Sequence, residues 1–177
     1  MTFKGFENEN ISLRALEPED LELLYEWEND ARNWVFGISL SPYSRFTLEE
    51  FIKTASYDIF INKQLRLIIE SKKHKKPAGA VDLFDMDFLN RRTGIGILVD
   101  SAFRNKGIAT ESLNLISAYV FSILNMRQIY CYISEDNKSS IQLFEKSGFE
   151  RSGSLKDWII QQGQWKSVYL YQKLNFS

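Results

Sequence analysis

A short basic loop between a predicted strand and a predicted helix has the clearest chemical potential in this sequence. The loop runs through Arg104, Asn105, Lys106, Gly107, Ile108, Ala109 and Thr110. Gly107 and Ala109 let a ligand approach the backbone, while Arg104 and Lys106 add positive charge. A loop that opens directly into a helix presents unpaired N–H groups to an anion. These features predict a cradle for a phosphate group.

The flanking elements are predicted from hydrophobic patterns. The segment 93–99 is apolar and rich in β-branched residues, as expected for a buried strand. After the loop, Leu113, Ile116, Val120 and Leu124 recur at helical spacing. The loop has neither the Gly-x-x-x-x-Gly-Lys-Ser/Thr pattern of a P-loop nor the Gly-x-Gly-x-x-Gly pattern of a dinucleotide fold. It therefore belongs to another class of phosphate site.

Two blocks of the sequence carry a resemblance to a known family. The Arg-x-x-Gly-x-Ala pattern of residues 104–109 resembles the acetyl-CoA signature of the GNAT N-acetyltransferase superfamily. Residues 137–149 resemble the family's Asn-x-x-Ser/Ala-x-x-Leu-Tyr/Phe-x-Lys-x-Gly-Phe block, and a strand-like segment, 128–133, separates the two at the family's spacing. The similarity is greatest to the branch that holds polyamine (spermidine) acetyltransferases and ribosomal-protein N-terminal acetyltransferases.

The predicted element order is strand, two helices, three strands, helix, strand, helix and two strands, which suits an α+β fold. The resemblance implies a mixed, mostly antiparallel seven-stranded sheet, splayed between its fourth and fifth strands, with helices on both faces. Residues 31–46 are predicted to form an ordered loop, and Thr47 and Glu50 to form a capping box that starts the second helix. We expect a single domain over residues 1–177.

The resemblance also implies acetyl-CoA as acyl donor, with no metal. The backbone of Ile97, Leu98 and Val99 would pair with the pantetheine amides. Arg104 through Thr110 would wrap the pyrophosphate, and Asn137 would reach the cofactor from the opposite wall. Phe144 would also contact the cofactor, at the helix position from which a tyrosine commonly protonates the leaving thiolate in this family.

Acetyl transfer to an amine needs a base, because a primary amine with a pKa near ~10 is mostly protonated at neutral pH. The thioester carbonyl can be polarised by a backbone N–H of the fourth strand. Since Phe144 has no proton to give, Tyr130, Tyr132 and Ser134 on one face of the fifth strand are candidate substitutes. We take Tyr132 and Asp82 as candidate catalytic residues. Water could also supply the proton, or turnover could be weak.

Acidic side chains gather in two regions that could meet a cationic acceptor. Glu28 ends the first predicted helix, Asp82 lies within the third predicted strand, and Asp85 lies at the exit of that strand. In the polyamine members of the family, acids in these two regions contact cationic molecules. The hypothesis is that Glu28, Asp82 and Asp85 line the acceptor side. The alternative is that these charges are merely solvated.

Composition excludes several classes of function. The chain has 22 Lys+Arg against 23 Asp+Glu, so a broad nucleic-acid-binding surface is not favoured. Cys131 is the single cysteine, which excludes an internal disulfide, and no Cys/His cluster could hold zinc. No apolar run is long enough to cross a bilayer, and the first ten residues lack the core of a signal peptide. We therefore expect a cytoplasmic protein.

The leading functional hypothesis is direct acetyl transfer from acetyl-CoA to a small amine such as a polyamine, or to a protein N-terminus. A CoA-binding regulator with little turnover is an alternative from a different class. A nucleic-acid-binding module would rest only on the basic segment 71–77. A homo-oligomer is compatible with the sequence. The acceptor amine, the oligomeric state and the use of other acyl groups remain open from the sequence alone.

Overall fold

The computed structural model of the protein describes residues 2–34, 41–55 and 58–176. Within these residues one mixed sheet is built in the spatial order β1-β2-β3-β4-β5-β7-β6. Its strands are β1 (Ile11–Ala15), β2 (Leu65–Ser71), β3 (Lys76–Asp87), β4 (Arg92–Val99), β5 (Gln128–Ser134), β6 (Glu150–Gln161) and β7 (Gln164–Leu174). The β4–β5 pair is parallel, and the other neighbouring strands are antiparallel. This confirms the predicted α+β sheet.

The helices are α1 (Leu21–Glu28), α2 (Ala31–Trp34), α3 (Arg45–Ala55), α4 (Ile59–Asn62), α5 (Ile108–Ser122) and α6 (Lys138–Lys146), with 3-10 turns at Pro18–Asp20 and Ser101–Phe103. The loop predicted for residues 31–46 is wrong at its ends, because 31–34 form α2 and 45–46 begin α3; residues 35–40 lie outside the described residues. The predicted capping position is also wrong. Ser44 caps α3, since its Oγ accepts the N–H of Thr47 at 3.1 Å.

Two apolar cores lie on opposite faces of the sheet. On one face, β-strand residues including Leu83 and Ile95 pack with Leu113 and Ile116 of α5. On the other face, Ile68 and Ala80 pack with α1 and α3 through Leu24, Trp27, Leu48 and Ile52. Successive strand residues point to opposite faces, so β2 and β3 contribute to both cores. Helices therefore cover both faces of the sheet, as predicted.

The sheet opens between β4 and β5. These strands pair only over Arg92↔Gln128, Thr93↔Ile129 and Gly94↔Tyr130. Beyond that point β4 stays with β3, up to Val99↔Gly79, while β5 stays with β7, up to Ser134↔Val168. The result is a fork with its apex at Gly94 and Tyr130, which confirms the predicted splay.

No helix within residues 2–34, 41–55 and 58–176 is long and apolar enough to span a membrane. Across those same residues, no group of three or more His, Cys, Asp or Glu side chains is arranged to hold a metal ion.

Candidate functional site

The loop after β4 brings two cations to the start of α5 and ties them to the backbone. Arg104 Nε donates to the carbonyl oxygen of Val99 at 3.0 Å, and Lys106 Nζ donates to that of Ala102 at 2.8 Å. Asp100 holds the start of this loop: one carboxylate oxygen accepts the N–H of Ala102 at 2.8 Å, and the other accepts Trp27 Nε1–H from α1 at 3.1 Å. The loop is therefore fixed against both β4 and α1.

Gly107 makes the turn into α5. It is the N-cap residue, with φ of 80°, a left-handed conformation that favours glycine. A Cβ at this position would meet only Glu111 Oε1, at 3.8 Å, so the space above the turn is open. Among the described residues no side chain caps α5, so its first N–H groups have no side-chain acceptor there. Residues 104–110 thus form the loop and the first turn of α5, a backbone arrangement that suits an anion, while the Ile108 side chain is buried in the core. Contact of these residues with the cofactor stays a prediction.

The walls of the fork carry the remaining predicted cofactor residues. Ile97, Leu98 and Val99 are half-buried on β4, beyond the point where β5 leaves it. The run from Gly94 to Val99 spans about 17 Å at the rise of an extended strand. A long extended ligand anchored at the cradle would therefore reach the apex of the fork.

Asn137 and Phe144 lie on the other side of the fork, on and before α6. Asn137 caps α6, with its Oδ1 accepting the N–H of Ser140 at 3.1 Å and the hydroxyl of Ser139 at 3.0 Å. Phe144 is only 4% exposed, and its ring packs edge-on against Phe149 with centroids 4.9 Å apart. Phe144 therefore packs in the core, and the contact of Asn137 and Phe144 with the cofactor stays a prediction.

Aromatic rings line the fork on the face covered by α1 and α3. Phe84 contacts Tyr130 edge-on at 6.4 Å, and Tyr130 contacts Tyr132 edge-on at 5.8 Å. Burial raises the pKa of Tyr130, and the nearby carboxylate of Asp85 raises it further. Tyr132 is 53% exposed and lies two residues beyond the apex. Ser134, the third candidate on this face, is buried against Gln161.

The structure brings Glu28 and Asp82 together, but with an arginine between them. Arg66 donates to both carboxylate oxygens of Asp82, at 2.6 and 3.1 Å, and to Glu28 Oε1 at 2.6 Å. Burial alone would lower the pKa of Arg66, but the two carboxylates raise it overall. An internal cation therefore already neutralises much of this acidic pair. The sequence analysis missed Arg66; the available signal was a charged residue inside an apolar strand, directly across from Asp82.

Asp85 lies apart from that pair, because β3 contains a bulge. Phe84 pairs with Gly94 and Asp87 with Arg92, so β3 has one residue more than β4 over this stretch. Asp85 takes the left-handed conformation, with φ of 48°. The next residue, Met86, is fully buried. A bulge re-aims a side chain that plain alternation would direct elsewhere. Here it turns Asp85 toward solvent.

Asp85 borders a cavity of about 500 Å³ next to the apex of the fork. The cavity is lined by Lys63, Asp85, Met86, Asp87, Phe88, Leu89, Arg92 and Tyr130. Asp87 is engaged by Asn90 at 2.7 Å and by Arg92 at 3.1 Å. No hydrogen bond or ion pair of Asp85 occurs within the described residues. Asp85 thus offers a carboxylate to a cation or an amine near Tyr130.

Comparison with known proteins matches both the sequence and the fold. The family model for the acetyltransferase (GNAT) domain matches residues 10–150. The chain is 29% identical to the spermidine N(1)-acetyltransferase of Escherichia coli strain K12, over 90% of this chain and 83% of that protein. It is 27% identical to a putative ribosomal N-acetyltransferase of Bacillus subtilis, over 94% and 92% of the two chains.

The fold is also similar to a solved structure with bound ligands. The spermidine N-acetyltransferase of Vibrio cholerae, crystallised with CoA and spermine, superposes with a TM-score of 0.85 at 27% identity. The match covers 94% of this chain and 96% of that one.

Proposed function

Because the chain belongs to the GNAT acetyltransferase family, an enzyme family that uses acetyl-CoA, we propose that it acetylates a primary amine of a polyamine such as spermidine. The observation that carries the proposal is Asp85, a carboxylate without a described partner, at a cavity beside the apex of the fork. Relatives named as spermidine acetyltransferases align over most of the chain, and the Vibrio cholerae neighbour binds CoA and spermine.

Acetyl-CoA would bind along the open edge of β4. The pyrophosphate would lie against the first N–H groups of α5, with Arg104 and Lys106 beside it. Backbone groups of Ile97, Leu98 and Val99 would pair with the pantetheine arm in the manner of a missing strand. The thioester would then lie near the apex, where a β4 N–H can polarise its carbonyl. This arrangement leaves the face lined by Phe84 and Tyr130 for the amine.

For the base we favour Asp85 over Asp82. Both oxygens of Asp82 accept hydrogen bonds from Arg66, so neither is left open to receive a proton from the amine. Asp85 would bind the substrate ammonium and accept its proton through a water molecule. Glu28 and Asp82, together with Arg66, would shape the adjacent wall. A direct catalytic role for Asp82 stays a prediction.

The reaction would be a single displacement. The neutral amine nitrogen attacks the thioester carbon, the carbon–sulfur bond breaks, and the thiolate leaves with a proton from a general acid. Tyr132 is our candidate for that acid. Tyr130, whose pKa is raised by burial and by Asp85, is a weaker acid than an ordinary tyrosine.

The first experiment is to measure thiol release from acetyl-CoA with spermidine, spermine, amino acids, aminoglycosides and basic N-terminal peptides. We expect turnover with the polyamines. Acetylation of peptides alone would instead favour a protein N-terminal acetyltransferase, the second candidate, which the similarity to the ribosomal relative supports. Binding of acetyl-CoA without turnover would favour a CoA-binding regulator.

Asp85→Asn tests the acceptor site, and the chain offers a matched control. Asp157, on β6, is also an exposed aspartate with positive φ, 49° against 48° for Asp85. Asparagine tolerates this conformation, so neither substitution should strain the backbone. We expect Asp85→Asn to raise the polyamine KM by about 10- to 100-fold, the value of a hydrogen bond to a charged group. The acetyl-CoA KM should stay unchanged, and Asp157→Asn should behave as wild type. An unchanged polyamine KM in Asp85→Asn would remove Asp85 from the site.

We also propose that residues 1–177 act as one domain, since β6 and β7 complete the sheet beyond residue 150, where the family match ends. Limited proteolysis tests this. A cytoplasmic location and the absence of nucleic-acid binding stay predictions. Cell fractionation tests the first, and RNA and DNA binding at modest salt tests the second.

A further inference from the structure

A glutamate side chain lies beside the proposed pyrophosphate cradle. Glu111 is in the first turn of α5, with its N–H bonded to the carbonyl of Gly107 at 3.1 Å. Its Oε1 is 3.8 Å from the position that a Cβ of Gly107 would occupy. A carboxylate is itself favoured at a helix N-terminus, where it competes with any anionic ligand. The position of the Glu111 carboxylate therefore matters for any anion that binds at this helix start.

Two asparagines from the start of the chain bind this carboxylate. Asn8 Nδ2 donates to Glu111 Oε2 at 2.8 Å, and Asn10 Nδ2 donates to Glu111 Oε1 at 3.0 Å. The amide of Asn8 has a defined orientation, because its Oδ1 accepts the N–H groups of Asn10 and Ile11 at 2.8 and 2.9 Å. Its NH₂ group therefore faces Glu111. Both carboxylate oxygens are held by neutral donors.

The segment that carries these asparagines is anchored independently. The ring of Phe6 packs against Tyr119 of α5 with centroids 4.8 Å apart. The carbonyl of Phe6 also accepts the N–H of Leu13 at 2.7 Å. Tyr119 follows Glu111 by eight residues, or about 12 Å along the helix. The N-terminal segment is thus attached to α5 at two separated points, one of them at the cradle.

We propose that Asn8 and Asn10 are positioning residues for acetyl-CoA, which fix the Glu111 carboxylate at the rim of the pyrophosphate site by binding both of its oxygens. Without them, Glu111 turns toward the free N–H groups at the start of α5 and repels the incoming phosphates. The inference rests on the proposed cofactor cradle. It makes Asn8 and Asn10 part of the donor site, although they lie about a hundred residues away from Glu111 in the sequence.

The test is CoA affinity by titration calorimetry, a measurement that does not need turnover. Four proteins are compared: wild type, Asn8→Ala/Asn10→Ala, Glu111→Gln, and the triple variant. We expect the double variant to bind CoA about tenfold more weakly. Glu111→Gln should bind at least as tightly as wild type, because it removes the competing charge. The triple variant should recover to within about twofold of wild type.

Recovery in the triple variant separates positioning from a merely structural role. If the triple variant binds as weakly as the double variant, or if the double variant binds as wild type, the proposal is overturned. Asn10→Ala alone, with and without Glu111→Gln, repeats the test while keeping the hydrogen bonds of Asn8 to the backbone. Lys72→Ala is the matched control. It removes the ion pair in which Lys72 Nζ donates to Glu7 Oε2 at 2.6 Å, and it should leave CoA affinity unchanged.

Failure of the cradle itself has a different signature. Gly107→Trp fills the open space above the turn and should abolish CoA binding in a folded protein. If Gly107→Trp still binds CoA, the cradle is wrong. If Gly107→Trp loses CoA while Asn8→Ala/Asn10→Ala keeps it, only the positioning role is wrong.

Discussion

At the scale of single residues, the leaving thiolate needs a proton that Phe144 cannot supply. Tyr132 is half-exposed just beyond the apex of the fork, on the face that the amine would use. General acids contribute about 10²- to 10⁴-fold to the rate. We expect Tyr132→Phe to lower kcat by about 100-fold with little change in either KM, measured by thiol release.

Tyr130→Phe is the comparison for that experiment. Both substitutions remove one hydroxyl from the same strand face and keep the aromatic ring. A larger loss of kcat in Tyr130→Phe than in Tyr132→Phe would identify Tyr130 as the general acid. An undiminished kcat in both variants would indicate that water protonates the thiolate.

A second feature at this scale is the ion pair between Asp20 and Arg14, which contributes to the stability of the fold. Asp20 is 5% exposed and accepts two hydrogen bonds from Arg14, at 2.7 and 2.8 Å, and one from the N–H of Glu17. Burial alone would raise the pKa of Asp20, but these hydrogen bonds lower it overall. A folded pKa below the unfolded value near ~3.9 means that the carboxylate stabilises the fold above that pH. The contribution is lost as the pH falls through the folded pKa.

We therefore expect Asp20→Asn to reduce the free energy of unfolding by roughly 1–3 kcal/mol at pH 7, because Arg14 loses its two charged hydrogen bonds to Asp20 and keeps the one to Glu70. The difference from wild type should narrow as the pH falls below about 4. Urea unfolding at pH 7, 4 and 3 measures it. Glu22→Gln, which breaks an exposed pair with Arg45, is the control and should have a much smaller effect. A difference that is constant with pH would contradict the assignment.

At the scale of elements, two glycines of β4 have different roles. A Cβ at Gly94 would lie 2.2 Å from the ring of Phe84, whereas a Cβ at Gly96 would meet only ordinary contacts near 3.8 Å. Gly94 is thus needed for Phe84 to lie flat across β4 and reach Tyr130. The bulge that follows Phe84 then directs Asp85 outward. Adjacent residues of β3 therefore carry the Phe84 ring and the Asp85 carboxylate.

The substitution Gly94→Ala should therefore displace the Phe84 ring. We expect it to lower the free energy of unfolding by about 1–3 kcal/mol, as overpacking does, and to raise the polyamine KM. Gly96→Ala, two residues along the same face, should change stability by less than about 1 kcal/mol, because the added methyl finds room and the unfolded chain loses entropy. Thermal unfolding compares the pair, and equal losses would argue against the role of Phe84.

At the scale of the whole molecule, the strands and α5 follow from patterns that the sequence carries locally, whereas the fork was implied only by the family resemblance. The apolar run of β4 and the helical spacing of α5 are examples, and the resemblance supplied the splay. The bulge at Asp85 could not be predicted, because it depends on the register between β3 and β4. Arg66 could not be assigned, since its partners come from two other elements.

Local sequence patterns also could not predict the contact of Asn8 with Glu111. The two residues are 103 positions apart, and neither belongs to a motif that pairs them. Similarly, Glu28 and Asp82 were predicted to line the same side of the site. The net charge of this cluster also depends on Arg66, which no spacing rule identifies as their partner. What the sequence lacked was therefore the pairing of side chains across elements, which decides the electrostatics of the site.

The β6–β7 hairpin at the edge of the sheet bears on the oligomeric state, which the sequence left open. On the β6–β7 hairpin, Trp158, Ile160 and Trp165 are each about 60% exposed, and Ile160 lies directly across from Trp165. Buried aromatic side chains cover roughly 150–250 Å² each. These three residues could supply a large part of the ~800 Å² that each partner buries in a standard interface. We expect this patch to be covered by a second copy of the chain.

Light scattering after size exclusion tests that expectation directly. Wild type should elute as a homo-oligomer at micromolar concentration, and Trp158→Ser/Trp165→Ser should shift to monomer without loss of helix content by circular dichroism. Ile123→Ser removes a similarly exposed apolar side chain at the end of α5 and should leave the assembly intact. A wild-type monomer would contradict the prediction. If the oligomer survives the double substitution, its interface lies on another surface of the protein. An apolar patch of this size stabilises association only if it is buried.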